Sequence, residues 1–330
     1  MNATVPVTDQ APVLAVSDLE VRIQGEHGSF AVVSDMSLTV AAGETVCIVG
    51  ESGCGKSMTA LALLRLLPEA ASVTGGKIEI EGVDFLGLNQ HTVEDYRGEK
   101  IAMIFQEPLT ALNPVLTIGE QIAEAVRQHR KAGHREAFEH AIETLKLVQM
   151  PDPAKRARQY PHELSGGMRQ RAMIALALAC EPRIIVADEP TTALDVTIQS
   201  QILGLISDLQ DRLGTAQILI THDLGVVAEV ADRVIVMYAG RRVEEATVYE
   251  LFDNPIHPYT RGLMGAIPRG QSSERLTDIA GTVPPLWDLP KGCAFAPRCP
   301  GASARCREER PPFEEKRPGH FAACWEHEDV

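Results

Sequence analysis

Residues 50–57 read GESGCGKS, which meets the G-x-x-x-x-G-K-[ST] spacing of a phosphate-binding loop. Each residue type in that pattern answers a chemical need. Glycines let the backbone N–H groups of Gly50, Glu51, Ser52, Gly53, Cys54 and Gly55 curl around an anion, and a following helix adds partial positive charge at its N-terminus. Lys56 then reaches the β- and γ-phosphates of a nucleotide, and the Ser57 hydroxyl is an oxygen ligand for Mg²⁺. Met58, directly after the motif, completes the nucleotide-contacting stretch. Cys54 works through its N–H, so its thiol is incidental. The context agrees: apolar TVCIVG precedes the loop as a strand, and MTALALLRLL follows as a helix that Pro68 stops.

A second acidic element lies in IIVADEP, residues 184–190, where an apolar run ends in two carboxylates. An acidic pair at a strand end is, by itself, more often a solvated turn. Beside a phosphate loop it becomes chemistry: Asp188 can hold Mg²⁺ through water, and Glu189 can polarise an attacking water. LSGGMRQR, residues 164–171, puts Ser165 at a helix N-cap followed by Gly166, Gly167 and Met168. FQEP carries Gln106, TTALD ends in Asp195, and ITHD carries His222.

In that order these motifs resemble the ATP-binding-cassette (ABC) ATPases, whose signature is LSGGQ; Met168 stands in place of the glutamine and leaves the backbone donors intact. The resemblance covers Val13 to Pro255 and implies ATP hydrolysis. It implies Glu189, His222 and Gln106 as the catalytic set, Mg²⁺ held by Ser57, Gln106 and Asp188, and Asp195 in the D-loop. It also implies that Ser165, Gly166, Gly167 and Met168 bind the γ-phosphate held by a second subunit packed head to tail. ABC ATPases often stack adenine on an aromatic residue ahead of the core strands, and Phe30 is the best candidate.

The elements that must position these groups are legible in outline. Val13 to Val40 alternates apolar and polar residues, as antiparallel strands at a sheet edge do. TVCIVG, RIIVAD, QILITHD and RVIVMYAG are nearly continuous apolar runs separated by helical stretches, the mark of buried parallel strands. The expected fold is therefore α/β: a P-loop ATPase core with a mainly parallel sheet and an antiparallel β edge, carrying an inserted helical subdomain at about 107–170. Within that subdomain Thr117 and Glu120 stand in capping-box spacing, and Ile118, Ile122 and Ala125 share one helical face. The expected divisions are a flexible N-terminus (1–12), the ATPase domain (13–255) and a Cys/Pro-rich extension (256–330).

Bulk properties limit the partners. With 330 residues, 45% of them hydrophobic, the chain can bury a full core. A net charge of −14 argues against a nucleic-acid partner, since coating phosphates takes clustered Lys and Arg. No apolar run approaches the roughly 18–20 residues that cross a bilayer. MNATVPVTDQAP lacks the basic start and apolar core of a secretory leader, so the cytoplasm is expected. There, cysteines serve as thiols or metal ligands more often than as disulfides.

Four of the seven cysteines, Cys293, Cys299, Cys306 and Cys324, gather in the extension. Their spacing is neither the C-x₂-C of zinc ribbons nor the bacterial ferredoxin run, and four thiolates could hold zinc or an iron–sulfur cluster. NPIHPYTRGLMGAIP (residues 254–268) and the G-C-x-F-x-P-R-C segment at 292–299 are similar to the dipeptide/oligopeptide importer family of ABC ATPases. That resemblance implies a [4Fe–4S] cluster on the four cysteines, with Zn²⁺ or free thiols as the alternatives. It further implies a peripheral subunit on the cytoplasmic face of the inner membrane. The implied partners are two permease subunits, a second homologous ATPase subunit and an external peptide-binding protein. Exposed Glu107–Pro114 is the expected permease contact. Cargo stays open, since relatives move peptides, nickel, glutathione or antimicrobial peptides. A non-transport ABC ATPase is a rival, but it would carry two cassettes or a coiled-coil insertion. Glu189 and His222 count against a cassette that binds without hydrolysing.

Overall fold

A computed structural model describes residues 11–26, 28–191, 195–265 and 279–325. Strands β1 (Leu14–Gly25) and β2 (Gly28–Val40) form a hairpin, and the wholly buried β3 (Thr45–Val49) leads through the phosphate loop into α1 (Lys56–Leu63). β4 (Ala71–Ile80) and β5 (Val83–Asp84) then return to the hairpin. The alternating strands do not flank the parallel ones. They form a sheet of their own in the order β2-β1-β4-β5, because β4 pairs along β1 from Ala71↔Ile23 to Ile80↔Leu14. β4 is hard to read in advance: its ASVTGGKIEI holds two adjacent glycines, which weaken strand propensity.

The chain continues through α2 (Gln90–Glu99) and β6 (Ile101–Ile104) into the helical subdomain, α3 (Pro108–Ala111), α4 (Ile118–Arg130), α5 (His134–Leu147), α6 (Pro153–Arg156) and α7 (Gly166–Leu178). In α4, Thr117 accepts the Glu120 N–H at 3.4 Å. Ile118, Ile122 and Val126 of α4 meet Ala137, Ala141 and Leu145 of α5, each set buried at four-residue spacing. β7 (Ile184–Asp188), α8 (Val196–Leu213), β8 (Ala216–Ile220), α9 (Leu224–Val230) and β9 (Arg233–Tyr238) complete a parallel run in the order β9-β3-β8-β7-β6. All residues of β3, β7 and β8 are buried, as both faces of such a sheet are covered. One apolar core lies between the two sheets and contains Leu14, Met36, Ile48, Leu63 and Phe85. The other, with Ile122, Leu145, Ile174 and Leu219, joins the parallel sheet to the helical subdomain.

The extension, expected as a separate segment, joins the main sheet. After β10 (Arg241–Thr247), α10 (Val248–Asp253) and α11 (Pro258–Gly265), the strands β11 (Glu314–Arg317) and β12 (His320–Ala322) add to its edge in the order β11-β12-β10-β9. Their pairing, Glu244↔Ala322 and Glu245↔Phe321, is locked by polar chemistry. Glu244 is 0% exposed; its carboxylate accepts the N–H of Ile256 (2.6 Å) and of His257 (2.8 Å), and lies 2.7 Å from His320 Nε2. Strands of four and three residues carry too little periodicity to announce themselves, so the sequence shows a composition change where the structure has a continuous sheet.

Candidate functional site: a phosphate cleft fed by three strand ends

The phosphate loop turns between β3 and α1. Gly55 caps α1 at φ 103°, where a Cβ would lie 2.6 Å from the Val32 carbonyl oxygen, so glycine is required twice over. Lys56 is 6% exposed, and its ammonium donates to the carbonyls of Gly50 (2.7 Å) and Glu51 (3.1 Å). Across the loop, Ser57 Oγ donates to Asp188 Oδ1 at 3.2 Å. Burial raises the Asp188 carboxyl above the usual carboxylate range, and the Ser57 hydrogen bond works against that shift.

Glu189 directly follows β7 with φ 44°, a left-handed turn that carries its side chain out of the strand. Gln106, just beyond β6, donates from Nε2 to Glu189 Oε2 at 3.1 Å. His222, just beyond β8, places Nδ1 3.1 Å from Glu189 Oε1. Since β6, β7 and β8 are neighbours in the sheet, three short loops at their C-terminal ends bring three distant residues onto one carboxylate. These groups line a cleft of about 540 Å³ together with Ser52, Gly53, Gly55, Lys56, Ser57 and Met58; Val32 and Leu286 form its apolar part.

Ser165 caps α7, accepting the Met168 N–H at 3.4 Å. Ser165 and Gly166 are exposed, Gly167 and Met168 half-buried, and none of the four lines the cleft. Gln170, one turn further on, donates to the Pro190 carbonyl and so ties α7 to the turn that holds Glu189. Asp195 caps α8 by accepting the Ile198 N–H at 2.9 Å; the preceding Thr192–Leu194 of the D-loop lie outside the described residues. Phe30 is half-buried at the start of β2, opposite Ile23 of β1, and meets the Trp287 ring edge-on at 5.8 Å.

Sequence reasoning missed how firmly the extension grips the phosphate loop. The Glu51 N–H donates to Tyr259 Oη at 2.8 Å. Arg298, with its side chain 5% exposed, forks onto the Glu51 carboxylate at 2.6 and 3.0 Å. Tyr259 stands in a packed group with Tyr238 and Phe295, their ring centroids 4.7–5.5 Å apart. An arginine within a Cys/Pro-rich segment was the one available signal, and it reads equally well as solvated surface.

Cys293, Cys299, Cys306 and Cys324 line one small cavity of about 20 Å³, with His257 and Trp325 beside them. The Cys293 N–H donates to the Cys306 carbonyl at 2.8 Å, and a Cβ on Gly292 would fall 2.3 Å from that same oxygen. Burial pushes the Cys293 thiol up, and the neighbouring Cys306 and Cys299 add to the effect. Four sulfur donors are of the type a soft metal centre takes, but the expected four-sulfur shell is not closed. Among the described residues no three His, Cys, Asp or Glu side chains converge as metal ligands. Burial holds the His257 imidazole down at about 4, so it is neutral near pH 7. Cys47 and Cys180 are buried in the apolar core and do not line this cavity.

Residues 33–192 match the family model for the ABC transporter, and residues 243–306 match the model for the oligopeptide/dipeptide transporter C-terminal region. A probable peptide ABC transporter ATP-binding protein of Sinorhizobium fredii, y4tR, is 55% identical over 96% of this chain and 96% of its own. The oligopeptide transport ATP-binding protein OppD of Escherichia coli is 47% identical over 98% of this chain and 96% of its own. Among solved structures, the dimeric post-hydrolysis state of the ATP-binding cassette MJ0796, bound to ADP and Pi, superposes with a TM-score of 0.64. It is 29% identical, covering 71% of this chain and 98% of that one. Among the described residues no helix is long and apolar enough to cross a membrane.

Proposed function

Because this chain belongs to the ATP-binding subunits of the oligopeptide/dipeptide class of ABC transporters, we propose that it binds and hydrolyses ATP to drive peptide import through separate permease subunits. One observation carries the hydrolytic reading: Glu189 lines the same cleft as Lys56 and Ser57, with Gln106 on one carboxylate oxygen and His222 at the other. Lys56 and the loop amides neutralise and orient the triphosphate. Ser57 and Asp188, already paired at 3.2 Å, are hard oxygen donors suited to Mg²⁺, with Gln106 as a further ligand. When bound, Mg²⁺ supplies charge neutralisation on the phosphates. Glu189 polarises the attacking water, and Gln106 and His222 hold its carboxylate in place. In Glu189→Gln, phosphate release should fall about 10²–10⁴-fold while ATP binding persists. An unchanged rate would remove Glu189 from the reaction.

The subunits act in pairs. Ser165 and Gly166 are exposed and lie off the cleft, so they serve the nucleotide of a partner subunit, either a second copy or a related ATPase. Light scattering of the Glu189→Gln protein with saturating ATP tests this, because closure on a partner should double the mass or capture the related subunit. Leu109 (59% exposed) and Val115 (75% exposed) flank the buried Leu112 and support the 107–114 segment as the permease contact at the cytoplasmic membrane face. An external peptide-binding protein would deliver the cargo. Loss of peptide uptake, with nickel and glutathione uptake intact, is the expected result of deleting this subunit; the opposite pattern would reassign the cargo.

The four extension cysteines form the last part of the reading, as ligands of a [4Fe–4S] cluster with Zn²⁺ as the alternative. Their gathering on one cavity supports it. The cluster would cross-link a segment poor in periodic apolar residues. Anaerobically purified protein should contain iron and sulfide and absorb near about 400 nm. Stoichiometric zinc, or no metal, would overturn it.

A further inference from the structure

We propose that the extension supplies part of the base-binding wall of the ATP site, through Leu286 and Trp287 packed against Phe30. The inference deepens the ATP reading and rests on it. Lys56, Ser57, Glu189 and His222 are polar groups of the cleft lining, and Val32, Met58 and Leu286 are apolar ones. Leu286 lies more than two hundred residues from Lys56, in the extension, yet both line the same cleft. Phe30 lies two residues before Val32 on β2, with an irregularity in the strand pairing between them, and Ile23 pairs directly across from Phe30 on β1. Next to Leu286 in the chain, the Trp287 ring meets Phe30 edge-on at 5.8 Å, 66° between planes, and remains 50% exposed.

A half-exposed indole packed on a second aromatic ring, next in the chain to a leucine that lines the cleft, matches one part of a nucleotide: the flat purine, which stacks on aromatic faces. Phe30 and Trp287 make a wall from two ends of the chain. Binding of the base would then press the extension against the hairpin, in addition to the hold that Arg298 and Tyr259 already have on Glu51.

The two tryptophans of the sequence, Trp287 and Trp325, make the test direct. In a Trp325→Phe background, ATP should change the emission of Trp287, whereas inorganic tripolyphosphate should not. Trp287→Ala should weaken ATP binding about threefold to tenfold and leave tripolyphosphate affinity within about twofold, because only the base has lost a surface. Trp287→Phe should restore most of the ATP affinity, and matching melting curves separate base contact from misfolding. Silent emission at saturating ATP, or equal losses for ATP and tripolyphosphate, would overturn the inference and leave ATP hydrolysis standing. A parent protein that binds tripolyphosphate as tightly as ATP would also overturn it. One that binds neither would overturn the ATP reading itself.

Discussion

At the phosphate end of the cleft, Gln106, Glu189 and His222 are set by the ends of three adjacent parallel strands, each side chain within two residues of its strand. In the extension, position is set by contacts between residues far apart in the chain: Arg298 on Glu51, His320 on Glu244, Trp287 beside Phe30. The first arrangement is periodic and apolar, and its geometry survives many surface changes. The second hangs on a few buried polar atoms, so single substitutions should release it. Chemistry and anchorage are thus built by different means, although they meet at one residue, Glu51.

Substitutions can test that division. The largest effect should come from Glu244→Ala, which leaves the donors of Ile256, His257 and His320 buried without an acceptor. About 3–5 kcal/mol of unfolding free energy should be lost in urea titrations, with the extension becoming the first segment cut by protease. If the whole chain instead unfolds with unchanged midpoint, the extension is held by something other than this carboxylate. Lys56→Ala should come next, weakening ATP about 10–100-fold in equilibrium binding while the melting temperature stays near that of the parent. Here anchorage survives and chemistry fails.

Arg298→Ala sits between the two regions. Freed of its fork, Glu51 still donates its N–H to Tyr259, so the loop should loosen rather than collapse, raising the KM for ATP about threefold to tenfold with little change in kcat. A fall in kcat alone would mean that the extension acts on the hydrolytic step. Met168→Gln, which restores the usual signature residue, should change turnover by less than about twofold, since the backbone donors are the same. A large gain would show that the side chain matters at the subunit seam.

The sequence was legible where local rules govern. The phosphate loop, the acidic pair and the Ser165 cap each occupy one short stretch whose strand–loop–helix context can be checked by eye, and the structure places all of them as their spacing implies. The antiparallel strands were legible as strands but not as a separate sheet, since pairing partners leave no mark on β4's glycine-broken pattern. Least legible was the extension. Glu244, His320, Arg298 and Tyr259 look like surface residues in a polar text, and only the fold reveals that the first two are 0% exposed. Cysteine spacing raised a question there: the four cysteines line one cavity, yet among the described residues no three candidate ligands converge on a metal.

The strand that the extension places at the sheet rim also bears on how the molecule behaves in a crowded cell. A sheet rim with open N–H and C=O groups invites foreign strands, and proteins blunt such rims with charge and brevity. Here the outermost strand at that edge, β11, is only four residues long and reads Glu-Glu-Lys-Arg, with no apolar side chain. By appending it, the chain exchanges a seven-residue rim at β10 for a four-residue, charged one, the kind of rim that discourages strand-to-strand pairing between molecules.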